Sequence, residues 1–279
     1  MHLSASQLST FAECPRKWYF ANVIKRIKPS TNAMLQGSLF HKAFELYFKD
    51  NYSFNDIVEY LNSAAPEQPA IVSNVIAAFA QYLTKYPDKR SEILIVNNEP
   101  SVEIGFDIAY TDDINIIGFI DYMSKRRVKT YITDIKVTSM APTDWYFQGF
   151  ELAYQTMLYS YVCSKLFTDI AGFVIDAIQI KQNKNSVKVD FATQFFPLSS
   201  NVESFERELF DTASYITKYK AQGPDFFPHC YTSCVTKYGR CPYHNICTTN
   251  EKIQIEYLKT CDDYVDKKSR EENEIKTKI

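Results

Sequence analysis

The sequence predicts a mixed α/β fold in which helices precede and flank a group of strands. Apolar residues recur at helical spacing up to about residue 86, and from residue 101 they alternate with polar ones, which is typical of a half-buried strand. Helical spacing returns after residue 144, between the third and the fourth predicted strand. The 279 residues, 46% of them hydrophobic, suffice for one large domain or two small ones with a sizeable core.

The first part of the chain is predicted to be helical. A helix over Ser4–Ile24 can be capped at Ser4 or Ser6, and Pro15 interrupts its pattern, so one helix and two short helices are equally compatible with the sequence. Three more helices are expected before the first strand: Leu35–Tyr47, Phe54–Leu61 and Ala70–Tyr86. The last two form a helical insertion over residues 50–90.

The middle of the chain is predicted to form a sheet. β-Branched and aromatic residues dominate the segments that we expect to be strands, namely Ser101–Ala109, Ile116–Met123, Thr130–Val137, Gly172–Ile180 and Val187–Phe195. Short polar segments between them are expected to be turns: Thr111–Asp113, Lys125–Arg127 and Asn183–Ser186. Two helices accompany the later strands, from about Asp144 to Phe167 and from Ser199 to Lys220.

The first strand has a regular alternation of apolar and acidic side chains. Its apolar residues are expected on one face, namely Val102, Ile104, Phe106 and Ile108. Glu103 and Asp107 are expected on the other face. The end of the chain is dense in charge from Glu251 onward, and its last residues are predicted to be a frayed helix or disordered.

Two aspartates and a lysine stand on neighbouring predicted strands. Asp121 follows the apolar segment Gly118-Phe-Ile, and Asp134 precedes Ile135 and Lys136. Side chains two residues apart share a face of a strand, so Asp134 and Lys136 are expected to point the same way. A lone aspartate is usually a turn or edge residue, and Asp134 with Lys136 is also compatible with a structural ion pair. A divalent cation would satisfy both carboxylates beside a phosphate.

Three further polar residues are candidates for the same site. Gln155 and Tyr159 are four residues apart on a predicted helix and therefore share a face, although an edge of the apolar core explains them as well. His41 lies one helical turn after Gly37, which allows another segment to approach closely, and one turn before Glu45. A single histidine on a helix is more often structural than a ligand.

Cysteines are concentrated near the end of the chain. Cys230, Cys234, Cys241 and Cys247 fall within one short segment, which indicates a metal or cluster site. An iron–sulfur cluster prefers four thiolates, and Cys14 is a candidate to supply one of them. Structural Zn2+ is the alternative, with His229 and His244 as nitrogen ligands. Cys163 lies in an apolar helix and is expected in the core, and no role is expected for Cys261.

Charge and targeting signals limit the partners and the compartment. The net charge is −2 and the pI about 6.1, so DNA would have to be bound by a local basic patch. Arg16-Lys17 and Arg126-Arg127 are candidate patches, with solvated turns an equal alternative. We find no apolar run of membrane-spanning length and no signal-peptide pattern, and we expect a cytoplasmic protein with reduced thiols.

Taken in order, these motifs resemble those of the PD-(D/E)XK nuclease superfamily. The resemblance is to its RecB-like branch with an iron–sulfur cluster, which includes CRISPR-adaptation exonucleases, nuclease domains of bacterial helicase–nucleases, and phage exonucleases. The similar segments run from Ser6 to Cys247: Ser6–Trp18 with Cys14, Gly37–His41, Gly118–Asp121, Asp134–Lys136, Gln155–Tyr159, and the trio Cys234, Cys241 and Cys247. One departure is the spacing of the closing trio, which leaves Cys230 as an alternative ligand.

The resemblance implies a restriction-endonuclease-like core, a central mixed β-sheet flanked by helices, within a single nuclease domain over residues 1–250. The implied parts are an N-terminal helical part with the first cluster cysteine (residues 1–34), the helical insertion (50–90), the catalytic α/β core (99–197), the cluster segment (226–247) and the charged tail (251–279).

The resemblance also implies a role for each site residue. Asp121, Asp134, His41 and the Ile135 carbonyl would hold Mg2+ or Mn2+. Lys136 would orient the attacking water, and Gln155 and Tyr159 would position the nucleic acid or the lysine. A [4Fe–4S] cluster would be bound by Cys14, Cys234, Cys241 and Cys247 and would join the two ends of the chain.

The implied activity is exonucleolytic hydrolysis of single-stranded DNA. Recombination, repair, phage DNA metabolism and CRISPR adaptation are the implied settings, with a helicase or recombination protein as partner. The alternative is a non-catalytic DNA-binding or partner-docking module on the same fold. The sequence does not indicate an oligomeric state.

Overall fold

The computed structural model describes residues 1–167, 169–183, 186–236, 239–249 and 251–268, without the side chains of residues 251 and 252. The end of the charged tail and the centre of the predicted turn over residues 183–186 lie outside the described residues. Within this part of the chain, no helix is both long and apolar enough to cross a membrane.

The described helices follow the predicted order. They are α1 (Ala5–Glu13), α2 (Pro15–Asn22), α3 (Asn32–Phe48), α4 (Phe54–Ala64), α5 (Pro69–Lys85), α6 (Lys89–Glu92), α7 (Asp144–Glu151), α8 (Tyr154–Leu166), α9 (Val202–Gln222), α10 (His244–Cys247) and α11 (Glu251–Thr260). The predicted helix over residues 144–167 is in fact two helices, since the chain leaves helical geometry at Leu152 and Ala153.

The five predicted strands form as β5 to β9, with short strands before and after them. The strands are β1 (His2–Leu3), β2 (Arg26–Ile27), β3 (Ile95–Val96), β4 (Glu99–Pro100), β5 (Val102–Thr111), β6 (Ile114–Arg126), β7 (Lys129–Thr138), β8 (Ile170–Gln182), β9 (Val187–Pro197), β10 (Val235–Thr236), β11 (Gly239–Arg240) and β12 (Val265–Asp266). The predicted turn at Lys125–Arg127 is shorter than expected, because the first two of its residues belong to β6.

The chain divides into two compact units. One comprises residues 1–30, residues 108–116 and the described residues from Glu203 onward, and the other comprises residues 31–107 and 117–202. We call them the terminal unit and the sheet unit. Strands β5 and β6 contribute residues to both.

The sheet unit contains a mixed sheet with helices on both faces, which confirms the predicted fold class. β6 and β7 are antiparallel, β7 and β8 parallel, and β8 and β9 antiparallel, and β5 pairs with β6. One face packs against α3, α4 and α5, with Phe40, Phe44 and Phe79 among the buried side chains. The other packs against α7 and α8, with Phe147 and Tyr159 buried. Burying each such side chain stabilises the fold by about 1.5–3 kcal/mol.

Strand β5 does not keep the alternation that its sequence predicts. Val102 packs into the core of α3 to α5, whereas Ile104 and Phe106 pack against the core of α7 and α8. Between them, Glu103 has a φ of 50°, in the left-handed region that a residue with a Cβ seldom adopts. This conformation, which costs about 1–3 kcal/mol, changes the face to which the following side chains point.

The terminal unit begins with two helices separated by one extended residue. Cys14 has φ −166° and ψ 112°, the extended geometry that a following proline favours, and Pro15 starts α2. The two-helix alternative for residues 4–24 is therefore the one observed, with Ser4 as the N-cap of α1. The short strand β1, which the sequence did not predict, pairs in parallel with the first residues of β6.

A buried polar network stabilises the sheet unit. Asp176 of β8 accepts hydrogen bonds from the Tyr122 hydroxyl and, at 2.7 Å, from Thr193. The Lys89 amine lies 3.4 Å from the same carboxylate and donates to the Tyr122 oxygen at 3.2 Å. Lys89 and Asp176 are both almost fully buried, so each charge needs an opposite charge nearby, and each supplies one to the other.

We expect Asp176→Ala to lower the free energy of unfolding by about 3 kcal/mol, because it leaves the buried Lys89 ammonium with only the half-exposed Glu92 as a counter-charge. The matched control is Asp190→Ala, which removes an exposed carboxylate 3.8 Å from Lys188 and should cost less than about 1 kcal/mol. Urea unfolding of both variants measures the difference, and equal losses would show that the network does not stabilise the unit.

Candidate functional site

The candidate site lies in the sheet unit where β6 separates from β7. The two strands pair from Tyr122 opposite Thr133 to Arg126 opposite Lys129. Beyond this ladder, side chains replace strand pairing at Ile135: its N–H donates to Asp121 Oδ2 at 2.6 Å, and its carbonyl oxygen lies 3.0 Å from His41 Nε2. The separation of the strands thus makes room for Asp121 and His41 beside β7.

His41, on α3, faces two carboxylates with its other ring nitrogen. Nδ1 lies 3.5 Å from Asp121 Oδ1 and 3.7 Å from Glu103 Oε1. Burial would lower the pKa of His41, but Asp121 and Glu103 outweigh it and raise that pKa to about 10. Burial acts to raise the pKa of Asp121, and the attraction of His41 and Lys136 overcomes it and lowers that pKa. The imidazolium therefore balances the carboxylates in the metal-free protein.

Asp134 and Lys136 share one face of β7, as the periodicity of a strand predicts. Lys136 Nζ lies 2.7 Å from Asp134 Oδ2 and donates to Gln155 Oε1 at 2.8 Å. The Gln155 amide in turn donates to Asp134 Oδ1. Burial raises the pKa of Asp134 to about 6, although Lys136 acts in the opposite direction. These three side chains form a closed polar triangle between β7 and the first turn of α8.

Tyr159 anchors this triangle to β6. Its hydroxyl accepts a hydrogen bond from Gln155 at 3.3 Å and donates to the Phe119 carbonyl oxygen, two residues before Asp121. The Tyr159 ring packs edge-on against Phe106, whose own ring covers Gly118. A Cβ at Gly118 would lie 2.4 Å from that ring, so a larger residue there would have to displace the Phe106 side chain.

Glu103 joins the site, although its sequence context did not single it out. Among the described residues, one group of three residues brings potential ligand atoms within 4.8 Å of one another: His41, Glu103 and Asp121. The sequence placed Glu103 only on the polar face of β5. Its left-handed backbone, which directs it here, has no signature in the sequence.

The donors present fit a hard divalent cation. Carboxylates with one imidazole suit Mg2+ and, because of the imidazole, Mn2+. Asp134 Oδ2 is buried and, despite its contact with Lys136, has no partner with hydrogen-bond geometry. A buried carboxylate oxygen in this state is one that a cation or a bound water would satisfy. His41, Glu103 and Asp121 thus form a group of donors that lie close to one another. Asp134 is not part of this group and instead contacts Lys136.

One predicted DNA-contacting pair is already engaged within the terminal unit. Arg16 is 2% exposed and donates to the Pro224 carbonyl and, at 2.8 Å, to Gln254 Oε1. Its guanidinium therefore holds the C-terminal segment and does not face solvent. Lys17 pairs with Glu13 at 2.6 Å, one helical turn away, which offsets its charge.

The second predicted pair is divided between two environments. The Arg126 guanidinium lies over the Phe195 ring and 3.8 Å from the buried carboxylate of Asp176, so it is engaged in contacts within the protein. Arg127 is exposed at the turn after β6, with a φ of 57°. Of the four basic residues that were predicted to contact DNA, Arg127 is the one that is exposed.

The cysteine segment lies in the terminal unit and approaches Cys14. The Cys230 N–H donates to the Cys14 sulfur at 3.4 Å, and the Cys241 N–H donates to the Cys234 carbonyl at 2.9 Å. Helix α10 carries Cys247. Cys163 is buried in the sheet unit, where burial raises its pKa to about 12, as expected for a core thiol.

Cys14 and the cysteines of this segment influence one another electrostatically. Burial first, and then Cys241, Cys14 and Cys234, raise the pKa of Cys247 to about 12. Cys14 likewise raises the pKa of Cys234 and of Cys241, after the larger effect of burial, and Cys230 also raises the pKa of Cys234. Cys230 differs, because hydrogen bonds from Ser233 and Thr232 lower its pKa. Cys230 is partly buried and its backbone N–H contacts the Cys14 sulfur, so it stays an alternative to Cys234 as a cluster ligand.

Comparison with known proteins gives one informative match. No curated protein sequence matches the chain significantly. A solved structure, "Crystal structure of SSO0001", is 14% identical over 76% of this chain and 75% of its own, with a TM-score of 0.32. The family model of the PD-(D/E)XK nuclease superfamily matches residues 2–248, which include the paired acids, the lysine and the cysteines described above. The chain belongs to the PD-(D/E)XK nuclease superfamily.

Proposed function

We propose that the protein is an Mg2+- or Mn2+-dependent exonuclease that hydrolyses single-stranded DNA. Membership in the superfamily implies a metal-dependent nuclease. The observation that carries the proposal for this chain is the position of Lys136, whose ammonium is held 2.7 Å from Asp134 and 2.8 Å from Gln155, on the strand that also contacts Asp121 and His41.

The acidic side of the site would hold the cation. His41 Nδ1 and Asp121 Oδ1, from two of the predicted ligands, lie 3.5 Å apart, and Asp134 is the neighbouring carboxylate, 2.7 Å from Lys136 Nζ. A bound divalent cation supplies polarisation of the phosphate and a water of lowered pKa. Asp121 is held beside β7 by the Ile135 N–H, and His41 by the Ile135 carbonyl. Only small movements of these two side chains would therefore be needed for them to bind a cation.

The basic side of the site would act on the phosphate. Lys136 would orient the attacking water and offset the negative charge that grows on the phosphate oxygens. Gln155 limits the motion of that ammonium by accepting from it, and binds Asp134 through its amide. Tyr159 is hydrogen-bonded to both Gln155 and the Phe119 carbonyl. It would thereby keep the Lys136 amine at a fixed position relative to Asp121.

Exposed aromatic side chains near these residues support a single-stranded substrate. Phe119, two residues before Asp121, is 62% exposed. Trp145, at the start of the helix that follows β7, is 59% exposed. Aromatic faces bind unpaired bases by stacking, and this interaction does not need a large positive charge on the protein. It suits a chain whose net charge is −2.

We further propose a [4Fe–4S] cluster on Cys14, Cys234, Cys241 and Cys247. Tetrahedral Zn2+ would bring its ligand sulfurs to roughly 3.8 Å from one another. In the part of the chain that the structure describes, no three cysteine or histidine donors of this segment lie within 4.8 Å of one another. When bound, the cluster would fasten the α1–α2 junction, which contains Cys14, to the cysteine segment.

The setting that fits this activity is one in which free single-stranded ends arise. Recombination, repair and phage DNA metabolism produce such ends, usually with a helicase or a recombination protein as the source, and CRISPR adaptation is a related setting. Reduced thiols for the cluster are maintained in the cytoplasm, which is the compartment that we propose.

We expect Lys136→Met to reduce cleavage of labelled single-stranded DNA in Mn2+ by at least about 100-fold, since the variant keeps the length of the side chain but loses its charge. Lys129→Met is the matched control, because Lys129 is an exposed lysine on the same strand and should be dispensable. Cleavage by the Lys136 variant within tenfold of the unmodified protein would remove this lysine from the mechanism.

The requirement for a free end can be tested with two single-stranded substrates of equal length, one linear and one covalently closed. We expect progressive shortening of the linear strand and no cutting of the circle. Cleavage of the circle would make the protein an endonuclease. Binding of both substrates without shortening, measured by gel shift, would support the non-catalytic module instead.

For the cluster, Cys234→Ser and Cys230→Ser form a matched pair four residues apart. After anaerobic purification, we expect the Cys234 variant to lose most of its iron, sulfide and broad visible absorption, while the Cys230 variant keeps them. A colourless, zinc-containing unmodified protein would contradict the cluster. Loss of iron only in the Cys230 variant would show that Cys230, and not Cys234, binds the cluster.

A further inference from the structure

Arg16 is a buried cation whose hydrogen-bond partners are all neutral. It is 2% exposed and donates to the Pro224 carbonyl and, at 2.8 Å, to Gln254 Oε1. Its guanidinium also lies over the Phe20 ring, 5.1 Å from the ring centroid. In the part of the chain that the structure describes, Arg16 forms no ion pair with a carboxylate. Because a guanidinium stays protonated in proteins, these contacts leave its charge uncompensated.

The other buried basic side chains of the described residues do have a counter-charge. Lys42 Nζ lies 3.0 Å from a carboxylate oxygen of Glu45, and Lys89 Nζ lies 3.4 Å from one of Asp176. A buried charge that lacks an opposite charge is costly, because the protein does not replace the water that it has lost. Arg16 therefore needs a negative partner that its protein contacts do not provide.

The backbone of Arg16 lies beside the cysteine segment. Arg16 is the second residue of α2 and follows Cys14 by two positions. Its backbone N–H donates to the Pro228 carbonyl at 3.1 Å, two residues before Cys230. The Cys230 N–H in turn donates to the Cys14 sulfur. The start of α2 is thus held directly against the beginning of this segment.

The side chain of Arg16 is connected to the other end of the same segment. Gln254 accepts from the guanidinium and donates through its amide to the Thr249 carbonyl at 3.2 Å, two residues after Cys247. Burial and the neighbouring cysteines raise the pKa of Cys247 to about 12, and Arg16 acts in the opposite direction. The field of the guanidinium therefore reaches the Cys247 thiol.

We propose, on the basis of the proposed cluster, that Arg16 is the counter-charge of the group bound by these cysteines. An iron–sulfur cluster is held by thiolates, so its assembly brings negative charge to a place where the protein has buried a cation. The net charge around a cluster is one of the factors that set its reduction potential. Arg16 is then not a ligand, and its charge makes the bound cluster easier to reduce.

The competing explanation is that Arg16 only joins distant segments through hydrogen bonds. Two substitutions of its partner separate the explanations. Gln254→Leu removes the acceptor and leaves the charge of Arg16 unopposed. Gln254→Glu keeps an acceptor and places a negative charge beside the guanidinium. A counter-charge role predicts that the glutamate changes the cluster more than the leucine does, and a purely structural role predicts the reverse.

Anaerobic reduction of the full chain with its cluster, by dithionite with mediator dyes and followed by visible absorption, measures this difference. At a fixed potential we expect Gln254→Glu to lower the ratio of reduced to oxidised cluster by about tenfold, which is about 59 mV for a one-electron couple. Gln222→Glu is the matched control, because it adds the same charge at an exposed position of α9, where salt screens it, and it should change the ratio by less than about twofold. An unchanged ratio in Gln254→Glu, or a larger change in Gln254→Leu, would overturn the proposal.

A second pair of variants alters the cation itself. Arg16→Lys keeps the charge and loses the planar fork, whereas Arg16→Met keeps an apolar stem and loses the charge. With the signal normalised to the iron that each variant contains, we expect the methionine variant to lower the ratio by about tenfold and the lysine variant by less than about threefold. Equal changes in the two variants would show that the lost hydrogen bonds are responsible, and would overturn the proposal.

The outcomes also distinguish this inference from the proposed function. If the unmodified protein contains no iron, the proposed cluster fails and takes the role of Arg16 with it. If the unmodified protein contains a cluster that is reduced reversibly, and the charge variants are reduced at the same potential, only the role of Arg16 fails. The assignment of Lys136 to DNA cleavage is independent of both results.

Discussion

The early end of the pairing between β6 and β7 is the constraint on which the site depends. Two antiparallel strands that continued to pair past Tyr122 would satisfy the backbone of Ile135 with another backbone. Because they separate, the Ile135 N–H and carbonyl need other partners, and Asp121 and His41 supply them. A buried backbone without partners would be costly, so the same requirement that preserves the fold also brings an acid and an imidazole together.

The residues of the candidate site come from both sides of the sheet. His41 comes from α3, in the layer that covers one face, while Gln155 and Tyr159 come from α8, in the layer on the other. Lys136 and Asp134 face α8, and Ile135 between them packs toward α3. The period of two along a strand therefore directs Asp134 and Lys136 to one face of β7 and Ile135 to the other, and the early end of the β6–β7 ladder leaves Asp121 and His41 beside Ile135.

Local rules were enough to predict much of this arrangement. The spacing of Asp134 and Lys136 on a strand, and of Gln155 and Tyr159 on a helix, fixes which side chains share a face whatever the rest of the fold does. Cys14 before Pro15 is likewise a local signal, because proline restricts the residue that precedes it.

What the sequence could not predict depends on contacts between distant segments. Glu103 reaches the site through a backbone conformation that only its surroundings impose. Arg16 looks like a surface cation until the segment containing Gln254 covers it. The short strand β1 has too few residues to show any period, and its pairing with β6 spans over a hundred residues.

The terminal unit has a consequence for the order of events during synthesis. Its first helices bind residues near the other end of the chain, and Arg16 meets Gln254 only after 238 further residues have been added. At 5–20 residues per second, α1 and α2 leave the ribosome roughly 10–50 s before their partners exist. During that interval Trp18 lacks Phe227 and Phe20 lacks Tyr243, the rings against which they pack, so the core of the terminal unit cannot close until these later segments have been made.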